Sequence, residues 1–177
     1  MAKSSNKQIE KDEKKIIEEL SKNANKSIND IAKTCGFSRQ KVWRVINNLE
    51  KNHTIWGYVA VTDEEKLNKK GYMMLIKRTN KPVEDKLIDK IVNRQLENEA
   101  KSMGIKFTNS TFTHGYYDWV ICFNATDIRT VKGFVENFNK IYQGYISEIH
   151  LLETMFPVLT FGVKNPEIKK LYNFLKI

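Results

Sequence analysis

The chain has 177 residues, enough for one large domain or two small ones, since domains commonly run to about 100 to 150 residues. Hydrophobic residues make up 41% of it and the mean hydropathy is -0.51. No apolar run approaches the roughly 18 residues of a bilayer-spanning helix, which excludes a membrane protein. The net charge of +9 favours a polyanionic partner such as nucleic acid.

The sequence contains no pattern that indicates secretion, a metal site or a common catalytic centre. The start, Met1 to Gln8, is a polar leader with no apolar stretch after it, so we expect a cytoplasmic protein without a secretory signal. Cys35 and Cys122 lie far apart and are expected to be buried thiols without a metal. The three histidines are too widely separated to suggest a catalytic pair: His53, His114 and His150. No glycine-rich phosphate loop is present, so we expect no cofactor and no enzymatic activity.

The first 53 residues carry the pattern of three helices. Residues 9–23 place their apolar residues on one helical face: Ile9, Ile16, Ile17 and Leu20. Ser27 is placed to cap a second, short helix whose inward residues are Ile28, Ile31 and Ala32. Gly36 then relieves the positive φ of a tight turn, and Ser38 caps a third helix that runs to about Asn52.

The third helix has one apolar and one polar face. Its inward residues are Val42, Val45, Ile46 and Leu49, while Gln40, Arg44 and Asn47 point the opposite way. Residues 54–61 are β-prone around Gly57, which predicts the small hairpin called a wing. This order of elements is that of a winged helix-turn-helix.

The chain beyond Thr62 predicts a second domain. Residues 62–70 are charged and aperiodic, as in a linker. Strands are predicted at 72–78, 106–113, 118–124 and 146–156, with one long helix over 83–103 and another after a cap at Thr126 or Asp127. The long helix is expected to face inward through Ile88, Val92, Leu96, Ala100 and Met103, and the second through Ile128, Val131, Phe134, Phe138 and Ile141.

The resulting order, βαββαβ, is the ferredoxin-like unit, in which two helices cover one face of an antiparallel sheet and the other face is open for a partner. Residues 158–163 either extend the last strand or pair with another chain, and 166–177 form a short helix. The sequence thus predicts an α+β protein: a winged helix-turn-helix domain at 1–62, a linker at 63–70 and a ferredoxin-like domain with a C-terminal extension at 71–177.

Several stretches resemble the Lrp/AsnC family of feast/famine regulators. They are DEKKIIEEL, SINDIAKTCGFS and VWRVINNLEKNHTIWGYVAV in the first half, and HGYYDWVI, which is similar to the family's Gly-x-Tyr-Asp signature, in the second. The resemblance covers nearly the whole chain. The sequence departs from the family at Val45, where an arginine is usual, in a longer first helix of the second domain, and in an extra tail from Asn165.

This resemblance implies a DNA-binding domain followed by a ligand-responsive domain that pairs sheets into dimers, tetramers or octamers. Gly115, Tyr117 and Asp118 would then line a cleft for a small effector such as an amino acid. The alternative is structural: Asp118 caps the turn and Tyr117 packs in the sheet. The composition, rich in Lys, Ile and Asn, favours an archaeal origin.

DNA contacts are expected from the N-terminal part of the third helix, the end that enters the major groove. The candidates are Ser38, Arg39, Gln40, Lys41, Arg44 and Asn47. Arginine grips guanine, and Gln or Asn pairs with adenine. The alternative is an ordinary solvated face. Trp43 is expected to pack on a neighbouring helix or the wing, and Trp56 either contacts DNA or covers the core.

The leading hypothesis is a sequence-specific transcriptional regulator that binds an inverted repeat in double-stranded promoter DNA as a dimer or higher homo-oligomer. One alternative is an enzyme similar to the siroheme decarboxylases, which share the two-domain architecture but need histidines and arginines for the tetrapyrrole carboxylates. Another is a protein interaction module. Only DNA binding through phosphates predicts an affinity that falls steeply with added salt.

Overall fold

The computed structural model describes residues 6–176, which divide into two compact units. The first comprises the chain up to Val61 with Val158–Lys169, and the second comprises Thr62–Pro157 with the residues from Lys170 onward. Residues 158–169 are thus grouped with the helix-turn-helix, whereas the sequence-based boundaries put them in the second domain. None of the helices in residues 6–176 is long and apolar enough to cross a bilayer.

The first unit contains three helices, α1 (Asn6–Lys22), α2 (Ile28–Cys35) and α3 (Arg39–Lys51). Residues 1–5 of the predicted polar leader lie outside the described residues, and its last three form the start of α1. The helices enclose a small core of Ile16, Ile31, Ala32, Val42, Val45 and Leu49. The predicted inward faces are therefore confirmed in their centres, but Ile9 at the start of α1 is exposed.

The second unit is built on a four-stranded antiparallel sheet. Its strands are β1 (Lys70–Arg78), β2 (Lys106–Phe112), β3 (Trp119–Ala125) and β4 (Ile146–Glu153), in the order β2-β3-β1-β4. The predicted βαββαβ unit is confirmed. Met74 lies opposite Ile121 on one side and Leu151 on the other. Alternate side chains of β1 and β3 are buried beneath the helices, because successive residues of a strand point to opposite faces.

Three helices supply the cover: α4 (Asp85–Val92), α5 (Gln95–Ser102) and α6 (Ile128–Ile141). Of the two predicted cap candidates, Asp127 is the one that caps α6, its Oδ1 accepting hydrogen bonds from the amides of Arg129 at 2.8 Å and Thr130 at 2.9 Å. Phe134 and Phe138 of α6 are fully buried against the sheet, whereas Ile128, predicted to face inward, is exposed.

The prediction of a single helix over 83–103 is wrong. The helix is interrupted between α4 and α5, where Arg94 adopts a left-handed conformation with φ 55°. Nine residues make about two and a half turns, so Leu87 and Leu96 would lie on opposite sides of a continuous helix. The break lets both be buried. It also turns Ile88 and Val92, which were predicted to face inward, out to 45% and 71% exposure.

The C-terminal segment forms a hairpin of its own, in which β5 (Leu159–Thr160) pairs with β6 (Val163–Lys164). Residues 158–163 therefore do not extend β4, and part of this segment pairs within its own chain. A short helix α7 (Leu171–Leu175) follows, which confirms the predicted terminal helix in part of its range. The predicted strands of the wing at 54–61 are not formed.

Candidate DNA interface

The turn between α2 and α3 is fixed by three local features. Ser27 Oγ accepts from the Asp30 amide at 3.2 Å at the start of α2. Gly36 ends that helix with φ 71°, a conformation that costs a residue with a Cβ more than glycine. Ser38 Oγ then accepts from the Lys41 amide at 3.2 Å and starts α3. These predicted caps set the direction in which α3 leaves the turn.

One face of α3 is anchored in the core and the other is open. Val42, Val45 and Leu49 are buried. The opposite side of the first two turns forms an open groove, here called the α3 groove, lined by Ser38, Arg39, Gln40, Lys41, Trp43 and Arg44. Five of the six predicted DNA contacts thus lie together. Asn47, the sixth, is half-buried one turn further along and does not line the groove.

Arg39, Gln40 and Arg44 are exposed, and within residues 6–176 neither arginine takes part in an ion pair. The first turn of α3 contains no acidic residue. The amide ends of the helix therefore add a positive potential to that of the two guanidinium groups, and the groove suits an anion such as a phosphate.

Lys41 differs from its neighbours because its ammonium is already engaged. Nζ lies 2.5 Å from Asp12 Oδ2 of α1 and 4.1 Å from the centre of the Phe37 ring. The Lys41 hydrogen bond holds the pKa of the Asp12 carboxyl below its usual range, against the opposing effect of burial. Lys41 therefore joins α1 to α3, a role that sequence reasoning missed because the two residues are 29 positions apart.

The two tryptophans of this unit are exposed. Trp43 is 57% exposed, so the expected packing on a neighbouring helix or the wing does not cover most of the side chain. Trp56 is 94% exposed, which rules out the interpretation that it covers the core. Next to it, Tyr58 Oη donates to Glu50 Oε1 at 2.9 Å and ties the irregular wing segment to the end of α3.

In the second unit, Asp118 ties the turn before β3 to β1. Its Oδ2 accepts from the Arg78 amide at 2.8 Å, and its own amide donates to the Ile76 carbonyl at 2.9 Å. Both bonds go to β1, so they anchor the turn on the sheet and are not a cap within the turn. Gly115 lies at the exposed tip of the turn, as does His114.

Tyr117 belongs to a cluster that the sequence did not reveal. It is half-buried and meets the His150 ring edge to face, with centroids 5.6 Å apart. Glu148 lies at the centre of the cluster, where Oε1 is 3.4 Å from Lys77 Nζ and Oε2 accepts from Tyr116 Oη at 3.2 Å. Burial raises the pKa of Glu148, but the attraction of Lys77 and these hydrogen bonds outweigh it and leave the pKa lowered.

The two cysteines are half-buried rather than buried as predicted, and both are free thiols. Burial raises the pKa of Cys35 and of Cys122, so both thiols are protonated near neutral pH. Residues 6–176 contain no group of three or more His, Cys, Asp or Glu side chains that could hold a metal ion.

Residues 13–55 match a family model described as winged helix-turn-helix DNA-binding. Most of the chain is similar in fold to solved structures of regulators. An AsnC family transcriptional regulator from Agrobacterium tumefaciens superposes with a TM-score of 0.63 at 19% identity, covering 93% of this chain and 97% of that one. This chain has the fold of the AsnC and Lrp regulators.

Two further relatives in structure agree with this. The leucine response regulatory protein of Mycobacterium tuberculosis gives a TM-score of 0.65 at 11% identity, over 85% of this chain and 94% of that one. A transcriptional regulator from Neisseria meningitidis, solved as a complex with L-Met, gives 0.63 at 12% identity, over 85% and 92%. No curated protein matches the sequence. The resemblance to the Lrp/AsnC family inferred from the sequence is thus confirmed in the fold.

Proposed function

We propose that this protein is a sequence-specific DNA-binding transcriptional regulator and not an enzyme. The observation that carries the proposal is the α3 groove, a cationic surface on a helix whose other face is buried in the core. Its two arginines form no ion pair within residues 6–176. The match of residues 13–55 to a DNA-binding family model supports it independently. The net charge of +9 agrees with a polyanionic partner.

In this proposal the first two turns of α3 enter the major groove. Arg39 and Arg44 contact guanine or phosphate, and Gln40 pairs with adenine, each good base contact contributing about 1 to 3 kcal/mol of discrimination. Ser38 and the first amides of α3 receive a phosphate. Lys41 holds α3 on α1 and adds its positive charge at the edge of the α3 groove. Asn47 contacts DNA only at the edge of the interface.

The proposed assembly is a dimer formed through the open face of the sheet. Met73, Leu75, Val120, Cys122 and Leu152 lie on this face, opposite to the helices. Met73 is paired with Cys122 and with Leu152, and Leu75 with Val120, so the apolar side chains form one continuous patch across three strands. A second copy would bury this patch and give the two-fold symmetry that reads an inverted repeat.

The proposed domain division is a DNA-binding domain at 1–62, a linker at 63–70 and a dimerisation and effector domain at 71–177. An amino acid effector is proposed near Gly115, Tyr117 and Asp118. The L-Met complex of the Neisseria meningitidis regulator supports an effector of this class. Asp118 also anchors the turn on β1 by accepting from the Arg78 amide. A substitution of Asp118 would therefore affect ligand binding partly through the position of the turn.

Selection of bound sequences from a random pool of double-stranded DNA tests the proposal, and a palindromic consensus is the expected result. Arg44→Ala should then weaken binding of the consensus by about 1 to 3 kcal/mol without a change in melting temperature. Lys51→Ala, an exposed cation at the other end of α3, is the matched control and should bind nearly as well as the parent protein. Equal affinities of the parent and Arg44→Ala, or no enrichment at all, would contradict the proposal.

A further inference from the structure

A cleft of about 250 Å³ opens between α4 and the sheet in the second unit. Leu87, Ile88 and Ile91 of α4 form one wall, and Phe112 and Trp119 form the other. The two aromatic rings are stacked, with centroids 4.8 Å apart. We call this space the α4 cleft. Gly115, Tyr117 and Asp118 do not line it, so it is separate from the effector position proposed above.

The walls of the α4 cleft are apolar but incompletely covered. Ile88 is 45% exposed and Phe112 is 53% exposed, although each has apolar neighbours across the cleft. Removal of such apolar surface from water favours binding of an apolar ligand. A cavity of about 150 Å³ holds a benzene molecule, so this volume has room for one ring with a short chain.

Among residues 6–176, Arg78 is the one charged side chain that lines the α4 cleft. Its Nη2 makes a long bond of 3.4 Å to the Lys81 carbonyl. No carboxylate of residues 6–176 lies within ion-pair distance of its guanidinium group. A guanidinium carries five N–H donors and binds a carboxylate with two parallel hydrogen bonds. The cation beside it, Lys81, is already paired with Glu84 at 3.4 Å.

We propose that the α4 cleft binds a small carboxylic acid with an aromatic or branched apolar tail. The tail lies between Ile88 and the Phe112–Trp119 pair, and the carboxylate is held by Arg78. Apolar walls with one convergent charged group are the usual composition of a small-molecule site. The proposal does not depend on DNA binding, since every residue that it uses belongs to the second unit.

Calorimetric titration of the full-length protein tests this with two probes of equal shape, 3-phenylpropanoate and 3-phenylpropanamide. The acid should bind about tenfold more tightly than the amide, because only the acid pairs with Arg78. Arg78→Gln should bring the acid down to the affinity of the amide. Arg129→Gln, which changes an exposed arginine on α6, should leave both affinities unchanged.

A second pair of variants tests the place of binding. Ile88→Phe fills the cleft from an exposed position of α4 and should abolish binding of both probes. Val92→Phe adds the same bulk one turn further along the helix, outside the cleft, and should have no effect. Absence of acid binding at millimolar concentration, equal affinity for acid and amide, or binding that survives Ile88→Phe would each overturn the proposal.

Discussion

The ion pair between Asp12 and Lys41 gives the sharpest stability prediction for the first unit. It joins α1 to α3 with Nζ and Oδ2 2.5 Å apart, and Gln8 Nε2 donates to the other carboxylate oxygen at 2.8 Å. The Asp12 side chain is 7% exposed and that of Lys41 is 33% exposed. Asp12→Ala would leave the ammonium beside the Phe37 ring without its carboxylate.

The burial of the two partners sets the expected magnitude. Exposed ion pairs contribute about 0 to 1 kcal/mol, whereas removal of one partner from a fully buried pair costs about 3 to 5 kcal/mol. This pair has one buried and one partly exposed member. We therefore expect Asp12→Ala to lower the free energy of unfolding of the first unit by about 1 to 3 kcal/mol. The coupling energy in a cycle with Lys41→Ala should be about 1 to 2 kcal/mol.

Amide hydrogen exchange followed by mass spectrometry measures this in the full-length protein, because peptides from α1 and α3 report the opening free energy of their own unit. The exposed pair of Lys66 with Asp63, 3.7 Å apart, is the matched control, and its coupling should stay below about 0.5 kcal/mol. If the Asp12–Lys41 cycle gives a coupling no larger than that of the control, the carboxylate does not hold α1 on α3 and the reasoning fails.

Three further predictions concern pH, a cap and a backbone strain. Hydrogen bonds from Lys41 and Lys22 hold the pKa values of Asp12 and Glu19 below their usual range, so the unfolded chain binds more protons between the folded and unfolded pKa values. The first unit should therefore have this stabilisation in full above about pH 5 and lose it as the pH falls below about 4, which acid titration of the helical circular dichroism will show. Asp127→Ala removes both cap bonds of α6 and should cost about 0.5 to 2 kcal/mol in urea unfolding of the second unit, while an unchanged midpoint would contradict this role. Arg94→Gly relieves the left-handed φ at the helix break and should raise the melting temperature, because the exposed ion pair with Glu97 that it removes contributes little; a lower melting temperature would contradict this.

The features that the sequence predicted correctly depend on neighbours in the chain. Ser27 and Ser38 were predicted as caps, and Asp127 as one of two candidates with Thr126, because each precedes an apolar stripe of helical period. Their cap bonds go to amides two or three residues away. Gly36 was recognised because a positive φ favours glycine. The caps and Gly36 fix the residues at which α2 ends and α3 begins, and the helical period of α3 then predicts which of its faces is exposed.

The features that the sequence concealed depend on distant contacts or on unusual backbone conformations. The bond between Lys41 and Asp12 requires α1 and α3 to be placed first. The hairpin of β5 and β6 turns at Phe161 and Gly162, both with positive φ, and a phenylalanine there gives none of the usual turn signal of Asn or Asp. The cluster around Glu148 joins β1, β4 and the turn before β3, so no spacing along the chain could reveal it.

The break at Arg94 links the main error of the sequence prediction to the proposed ligand site. A continuous helix could bury only one of Leu87 and Leu96 against the sheet, whereas the interrupted helix buries both. Once Leu87 and Ile91 face the sheet, Ile88 comes to the rim of the α4 cleft instead of the core. Ile88, which was predicted to face the core, can therefore contact a ligand. Any change that straightens the helix should therefore disturb the core and the cleft together, because one backbone conformation at Arg94 sets the facing of both.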